Sequence, residues 1–382
     1  MNVSRRTVRG VINPYEKHQT QFYITSAGTK ASWAYEKNIE IFERSIINPQ
    51  DYWSFGCDYR IPIMHELLDK SYIDDIKTSA TFDEASFARE YLGIWTGGGS
   101  DSWFSYDKMS KYRVLSNPET CAKNVSKLEM FYLLSVDVGR LSCQTVCSVF
   151  KVIPGARGFE YRLVNLYVLG RTPETKHFER QALDLKKIIE AFCPREVVID
   201  GNGLGIGFLD FMVRPTVDPD TGMTYPPIGC INDEDYLQTQ PKDAAKLIYV
   251  MKANATLNSA IHSNCYTQIF SGHVHFLIKE QEAKMKLMSS KKGQKMDTAQ
   301  RIARLMPHEM TSRLFDEMAN LRLKQGSGVT ITLEQISGRE LKDKFSSFEY
   351  GLWRGKELEE EYNNKKRRRT GSKRKLIFYS GG

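Results

Sequence analysis

Phe131-Tyr132-Leu133-Leu134-Ser135-Val136-Asp137-Val138-Gly139-Arg140 is the stretch whose reading decides the fold. An apolar run feeds straight into an aspartate, and a glycine follows two residues later. Apolar runs of this length, bounded by a turn signal, read as buried strands. The end of such a strand is a rigid mount for a carboxylate. Gly139 lets the chain turn sharply away, and Arg140 and Ser142 are polar enough to face solvent or a ligand. Glu196-Val197-Val198-Ile199-Asp200-Gly201-Asn202-Gly203 repeats the design. Two strands of one sheet, each closing on an aspartate, bring two carboxylates side by side. Like charges that close repel unless a cation sits between them. A hard cation with oxygen ligands, Mg²⁺ or Mn²⁺, suits the pair.

The 382 residues suggest two domains, with ample chain for a core. Apolar residues at 41% and charged residues at 26% are ordinary for a soluble globular chain and point away from a disordered one. No apolar run approaches the ~20 residues of a membrane span. The basic N-terminus, Met1 to Gly10, has no apolar segment behind it, so no secretory signal is expected. The seven cysteines are scattered, and the CxxxC of Cys143 and Cys147 matches no zinc pattern. Free, mostly buried thiols in a reducing compartment are expected.

The net charge is +8. Lys365, Lys366, Arg367, Arg368, Arg369, Lys373, Arg374 and Lys375 account for all of it, so the rest of the chain balances to neutral. A basic run of this kind contacts phosphate or nucleic acid; the alternative is a solvated end.

Taken in order, residues 1–115 form a first region. It has a short strand from Gln21 into the Thr25-Ser26-Ala27-Gly28 turn, a helix over Lys30 to Ile47, and a strand over Tyr52 to Cys57. Thr81 or Asp83 caps a helix through Phe87 and Tyr91. Residues 116–127, polar with Pro118, read as the linker. The second domain, 128–352, opens with three antiparallel strands, the last two (Thr145 to Phe150, Tyr161 to Leu169) joined by a longer turn. Helices follow over Thr175 to Phe192, Leu204 to Val213, Lys242 to Ala260, Leu305 to Leu323 and Arg339 to Leu352. Strands are expected at Glu196 to Asp200, Gly229 to Ile231, His273 to Lys279 and Val329 to Leu333. Lys291-Lys292-Gly293 marks a basic loop, and 353–382 form a charged, basic tail.

This order gives an α/β domain with a mixed sheet flanked by helices. An aspartate in the first strand, one ending the fourth and one on a late helix is the ribonuclease H-like arrangement. Asp343 supplies the third position, with Phe345, Phe348 and Leu352 forming an apolar face behind it. Glu340 and Glu349 are the next candidates on that helix. Three carboxylates can hold two metal ions about 4 Å apart, the geometry for in-line attack on a phosphodiester. Lys342 and Lys344 flank Asp343 as candidate contacts to DNA phosphates, and Lys365 to Arg369 add others. His273 and His275 share a strand face but have no carboxylate partner in place, so they read as ordinary surface or core. Gly203, Gly205 and Gly207 lack the spacing of a nucleotide fingerprint and read as close packing beside Asp200.

These motifs resemble the large terminase subunit of tailed bacteriophages. Ser135 to Arg140, Val198 to Gly205 and Lys342 to Ser347 are similar to the three acidic motifs of the terminase nuclease. Tyr23-Ile24-Thr25-Ser26-Ala27-Gly28 resembles the coupling motif that ends the ATPase core, and Phe87 to Tyr91 with Trp103-Phe104 looks like the end of that region. The resemblance implies a metal-dependent endonuclease that cuts concatemeric DNA during viral packaging. Asp137, Asp200 and Asp343 would hold two Mg²⁺ or Mn²⁺ ions. The implied partners are double-stranded DNA, the portal protein and the small terminase subunit, in the host cytoplasm and with no membrane. The family also carries a P-loop before the coupling motif. This chain has no GxxxxGK[ST], so residues 1–115 read as an incomplete ATPase-derived α/β region, from a split gene or a truncated product, without ATPase activity of its own. Two other readings compete. One is another ribonuclease H-like nuclease, of resolvase or transposase type. The other is a non-catalytic DNA-binding or motor-docking piece whose acids are structural.

Overall fold

A computed structural model describes residues 2–3, 7–8, 11–12, 20–28, 33–78, 87, 90–95, 102–123, 130–139, 143–170, 172, 175–324, 330–336 and 341–371. At residues 2–20, 204 and 366–371 it describes the backbone alone. The chain forms two compact units, Met1–Gly97 and Gly98–Gly382.

The first unit holds four short strands paired in twos, β1 (Asn2–Val3) with β4 (Thr20–Gln21) and β2 (Thr7–Val8) with β3 (Val11–Ile12). Helices α1 (Trp33–Ile47), α2 (Arg60–Met64) and α3 (Lys70–Thr78) follow. Helix α1 lies where the sequence places one. Residues 52–57 do not form the expected strand, and among the described residues no strand pairs with them. Trp53 and Phe55 stack on each other instead, centroids 5.7 Å apart. Ile73 and Phe87 are the only buried residues among those described in this unit. Thr25 and Ser26 are exposed, with the Thr25 hydroxyl donating to Ser26 O. Thr81 and Asp83 lie outside the described residues.

The second unit is built on an eight-stranded sheet. In chain order its elements are α4 (Tyr106–Ser110), β5 (Arg113–Leu115), β6 (Phe131–Asp137), β7 (Thr145–Gly155), β8 (Gly158–Leu169), α5 (Phe178–Phe192), β9 (Glu196–Asp200), α6 (Leu204–Met212), β10 (Thr216–Val217), β11 (Thr224–Tyr225), β12 (Ile228–Cys230), α7 (Glu234–Thr239), β13 (Ala245–Met251), α8 (Ala255–Phe270), β14 (Val274–Leu277), α9 (Glu280–Ser289), α10 (Lys291–Gln294), α11 (Thr298–Ala319), β15 (Leu321–Leu323), β16 (Leu333–Gln335) and α12 (Asp343–Gly371). The strand order is β12-β13-β9-β6-β7-β8-β14-β5. β7 runs antiparallel to both β6 and β8, and every other pairing in the sheet is parallel. Three meandering strands with three parallel ones, β9, β13 and β12, added beside the first make a ribonuclease H-like mixed sheet.

Helices α5 and α6 cover one face. Leu185, Ile189, Phe192, Phe208 and Met212 pack there with Leu134, Val136, Val197 and Ile199. The other face carries α11 and α12. Phe348 sits between Phe150 and Phe276, with centroids 5.6 and 5.5 Å away. No helix among the described residues is long and apolar enough to cross a membrane. All seven cysteines are free, but only Cys147, Cys230 and Cys265 are buried, so most are not.

Several boundaries differ from the sequence reading. Residues 102–123, assigned there to the first region and the linker, join this sheet. β5 pairs with β14, and Glu119 binds Tyr132 and Lys151. The span Lys242 to Ala260 is not one helix: Ala245 to Met251 continue the sheet as β13, and Asn254 caps a separate helix by accepting from Leu257 N. Strands β7 and β8 extend to a two-residue turn, Gly155 opposite Gly158, so the longer loop is absent. The last helix continues through Gly371, taking in residues 353–371 of the expected 353–382 tail.

Candidate active site

Strands β6 and β9 run parallel, with Val136 beside Ile199. The next residue on each is the aspartate, so Asp137 and Asp200 end neighbouring strands about 4.8 Å apart. Val136 and Ile199 face the core under α5 and α6. Alternation therefore turns both aspartates to the opposite face, where α12 lies. Arg354 of α12 confirms the facing by gripping Glu196 on the same side of β9.

Asp343 is the first residue of α12. Its Oδ2 accepts from Gln144 N at 2.6 Å. Gln144 immediately precedes β7, whose Val146 is the partner of Asp137. The third carboxylate is thereby pinned beside the first.

Small residues spaced by four let α12 lie this close. The Ser347 hydroxyl donates to Ser135 O at 2.7 Å and accepts from Ser148 N at 3.1 Å. A Cβ at Gly351 would fall 2.4 Å from Phe150 Cε2, and one at Gly355 2.4 Å from Tyr161 Cε1. Gly205 plays the same part in α6, where a Cβ would fall 1.7 Å from Asp200 O. Of Gly203, Gly205 and Gly207, read in the sequence as close packing beside Asp200, only Gly205 is so packed: a Cβ at Gly203 would meet nothing within 4 Å, and one at Gly207 only Phe178 at 3.6 Å.

Glu317, buried near the end of α11, fixes the start of α12. Its Oε2 accepts from Lys344 N at 2.8 Å and Phe345 N at 3.0 Å, and its Oε1 from Lys344 Nζ at 2.8 Å. Helix N-termini leave such N–H groups without intrahelical partners, and an anion there also meets the favourable end of the helix dipole. Lys344 Nζ donates further to Gln144 Oε1 at 3.1 Å. One network thus holds Asp343 and the residue leading into β7.

The acids feel one another. The Asp137 carboxyl is pushed well above the ordinary range, first by burial and then by the charges of Asp343 and Asp200; Lys342 opposes the shift. Burial also raises Asp200 and Asp343, against the bonds from Asn202 and Gln144. Among the described residues, no three His, Cys, Asp or Glu side chains already stand at the spacing of a formed ion site. The donor chemistry does fit a hard divalent cation: oxygen ligands only, and mutual repulsion that such an ion would relieve.

Asp137, Asp200 and Asp343 are therefore brought together, with Lys342 close enough to act on Asp137 and Asp343 electrostatically. Lys344 corrects the sequence reading. It is 5% exposed and paired with the equally buried Glu317, so its charge is not offered to DNA. Lys365 is exposed on α12. The side chains of Lys366, Arg367, Arg368 and Arg369, and the residues Arg140, Ser142 and Glu340, lie outside the described residues. Glu349 is buried and bound to His262 Nδ1 at 2.7 Å. His275 does have a carboxylate partner, Glu160 at 2.9 Å, which Arg162 shares; His273 meets Phe159 O. Neither histidine is near the acids in this network. Gln144 and Glu317 were missed. The Ser347-x₃-Gly351-x₃-Gly355 spacing was a readable signal for the close helix.

No family model and no curated protein matches this sequence. The likeness found is to large terminase nuclease domains. The magnesium-bound large terminase nuclease of thermophilic phage G20c is 13% identical with a TM-score of 0.39, covering 66% of this chain and 97% of that one. The large terminase of bacteriophage HK97 is 8% identical with a TM-score of 0.36, over 82% of this chain and 60% of that one. The manganese-soaked terminase nuclease domain of human cytomegalovirus is 10% identical with a TM-score of 0.31, over 65% and 92%. These identities and TM-scores are too low to say more of this chain than that similarity, and the strand order and acid placement described above stand without it.

Proposed function

We propose that this chain is the nuclease part of a viral DNA-packaging terminase, an endonuclease that hydrolyses phosphodiester bonds of concatemeric double-stranded DNA. The observation that supports the reading is the placement of Asp137 and Asp200 at the ends of neighbouring parallel strands, with the Asp343 carboxylate bonded to Gln144 N beside β7. Asp137, Asp200 and Asp343 would hold two Mg²⁺ or Mn²⁺ ions. When bound, the ions supply an activated water and stabilise the leaving oxygen. The protein's own work is positional. Gln144 N orients the Asp343 carboxylate, Asn202 N orients that of Asp200, and Glu317 fixes the helix that carries Asp343. Lys342 supplies positive charge beside acids that would otherwise repel a phosphate.

The domain reading belongs to the same proposal. The first region is the end of an ATPase region from the coupling-motif resemblance at Thr25 and Ser26 onward, and the nuclease expected over 128–352 also takes in residues 102–123 and the continuation of its last helix to Gly371, ahead of the basic end of the chain. The chain alone does not hydrolyse ATP. Its cellular partners are the portal protein and the small terminase subunit, in the host cytoplasm. The test is supercoiled plasmid incubated with the purified chain. Nicking and linearisation are expected with Mn²⁺ or Mg²⁺ and none with EDTA. Cleavage that persists under chelation contradicts the reading.

A further inference from the structure

A carboxylate edge repels the polyanion it is meant to cut, so grip on DNA has to come from elsewhere on the surface. The neutral balance outside the C-terminal basic run hides a separation of charge. Residues 279–304 contain eight Lys and Arg against three Asp and Glu, a net of +5, which leaves −5 for the remainder outside that run. The segment spans α9, α10 and the start of α11, and includes the Lys291-Lys292-Gly293 motif.

This arm is built to hold its lysines outward. Gly293 is buried, and a Cβ there would fall 1.9 Å from Leu287 O, so the α9–α10 turn closes tightly on itself. Ser290 accepts from Gly293 N, and Arg301 donates to Gly293 O and Gln294 O. Arg304 donates to neutral Asn117. Of the acids, Glu282 pairs with Lys286, and Asp297 is spent on capping α11. Lys284, Lys291, Lys292 and Lys295 are exposed and make no ion pair among the described residues.

The topology puts the arm beside the acids. β14 runs parallel to β8, and β8 parallel to β6 through the intervening β7. β6 and β14 therefore run toward the same edge, three strand spacings or about 15 Å apart across the sheet, with β14 ending about level with Leu134, three residues short of Asp137. Asp137 ends β6, and α9 starts three residues after β14. Helix α11 returns from the arm to the acids: Arg301 lies sixteen residues before Glu317, about 24 Å along the axis. An open groove lined by Gln144, Lys176, Glu309, Arg313 and Lys344 borders this helix on the acid side.

We propose that residues 279–304 form a second DNA-contacting surface, gripping backbone phosphates of the duplex several base pairs from the bond held at Asp137, Asp200 and Asp343. The proposal rests on the nuclease reading for the identity of its partner. At ~3.4 Å per base pair, 15 to 24 Å corresponds to roughly four to seven base pairs. The contact is to phosphate, so it adds affinity without sequence preference.

The test uses the full chain and a fourfold variant, Lys284→Glu, Lys291→Glu, Lys292→Glu and Lys295→Glu. Binding to a 30-base-pair duplex is followed by fluorescence anisotropy in EDTA across a salt series. Each phosphate contact contributes about 0.9 to the log–log slope, so the variant slope should fall by up to about 3.6. Its melting curve should match wild type, since exposed changes of this kind are nearly neutral. An unchanged slope, which would assign the arm to an acidic protein partner or to solvent, overturns the proposal, as does a wild-type chain with no salt-dependent duplex binding. Because chelated protein is used, the outcome is independent of cleavage: a lowered slope in a chain that never cuts DNA upholds the arm and refutes the nuclease reading. Both proteins keep the C-terminal basic run, so the difference belongs to the arm.

Discussion

The buried carboxylate of Glu317 accepts hydrogen bonds from both the backbone N–H and the Nζ of Lys344, at 2.8 Å each. Through that pairing the end of α11 sets the first turn of α12, and with it the direction of Asp343. Glu317→Ala leaves a buried lysine charge and the first N–H groups of α12 without partners. Breaking a buried pair on one side costs about 3–5 kcal/mol. Glu317→Gln keeps acceptor oxygen for the N–H groups and should cost less, and adding Lys344→Met to it should recover part of the loss. Urea unfolding at pH 7 measures all three. A Glu317→Ala protein within 0.5 kcal/mol of wild type, the ~0.5 kcal/mol scatter of surface changes, would remove Glu317 from this role.

The pH dependence of the metal-free protein has a definite sign. Burial pushes Glu317 up to about 7 against the pull of Lys344, and Asp137, Asp200 and Asp343 are raised as well. A carboxyl raised in the folded state holds its proton more tightly there than in the unfolded chain. Its stabilising effect is full below the unfolded value near ~4.3 and is lost as pH rises through the folded value. Stability in EDTA should therefore fall between about pH 4.5 and 7. Asp218, held at about 2 first by the Lys187 bond, gives the opposite slope in the acid range. Asp137→Asn should flatten the fall. A stability that climbs from pH 4.5 to 7 in EDTA, read by thermal melts across pH, would refute the electrostatic account.

Two glycine-to-alanine changes should separate sharply. At Gly351 the new Cβ meets Phe150 at 2.4 Å and Ser135 at 2.9 Å, so α12 must lift from the sheet. Overpacking of this kind costs about 1–3 kcal/mol. Because α12 carries Asp343, cleavage should fall further than the unfolded fraction explains. At Gly207 the nearest atom, on Phe178, is 3.6 Å away, an ordinary contact. Helix propensity then favours alanine by up to about 1 kcal/mol. Denaturation midpoints of the two variants check the contrast, and equal losses would contradict it.

Much of the sheet was legible because its central strands are continuous apolar runs that stop on aspartates. Asp137 and Asp200 announced themselves that way, and Asp343 by its place before an apolar helical face. Lys344 was not legible. Its neighbour Lys342 shares its chemistry, and only the approach of Glu317, 27 residues back, decides which of the two is buried. Gln144 was hidden for the same reason, since its link to Asp343 spans 199 residues. Leu247 to Met251 misled because a short apolar run carries no period that separates helix from strand. The place of Arg113 to Leu115 at the sheet edge depends on β14, more than 150 residues later, and no local pattern encodes that pairing.

The central claim is that Asp137, Asp200 and Asp343 act as one metal-holding unit. The most direct test is Mn²⁺-dependent plasmid nicking by wild type, Asp137→Asn, Asp200→Asn and Asp343→Asn, with a melting curve in EDTA on the same preparations. Each change is near-isosteric and removes one negative charge from a crowded edge. Each variant should lose nearly all cleavage while melting at or above the wild-type temperature, since relieving like-charge repulsion favours the metal-free fold. A variant that cuts at the wild-type rate, or one that loses activity only in proportion to a lowered melting temperature, would contradict the claim.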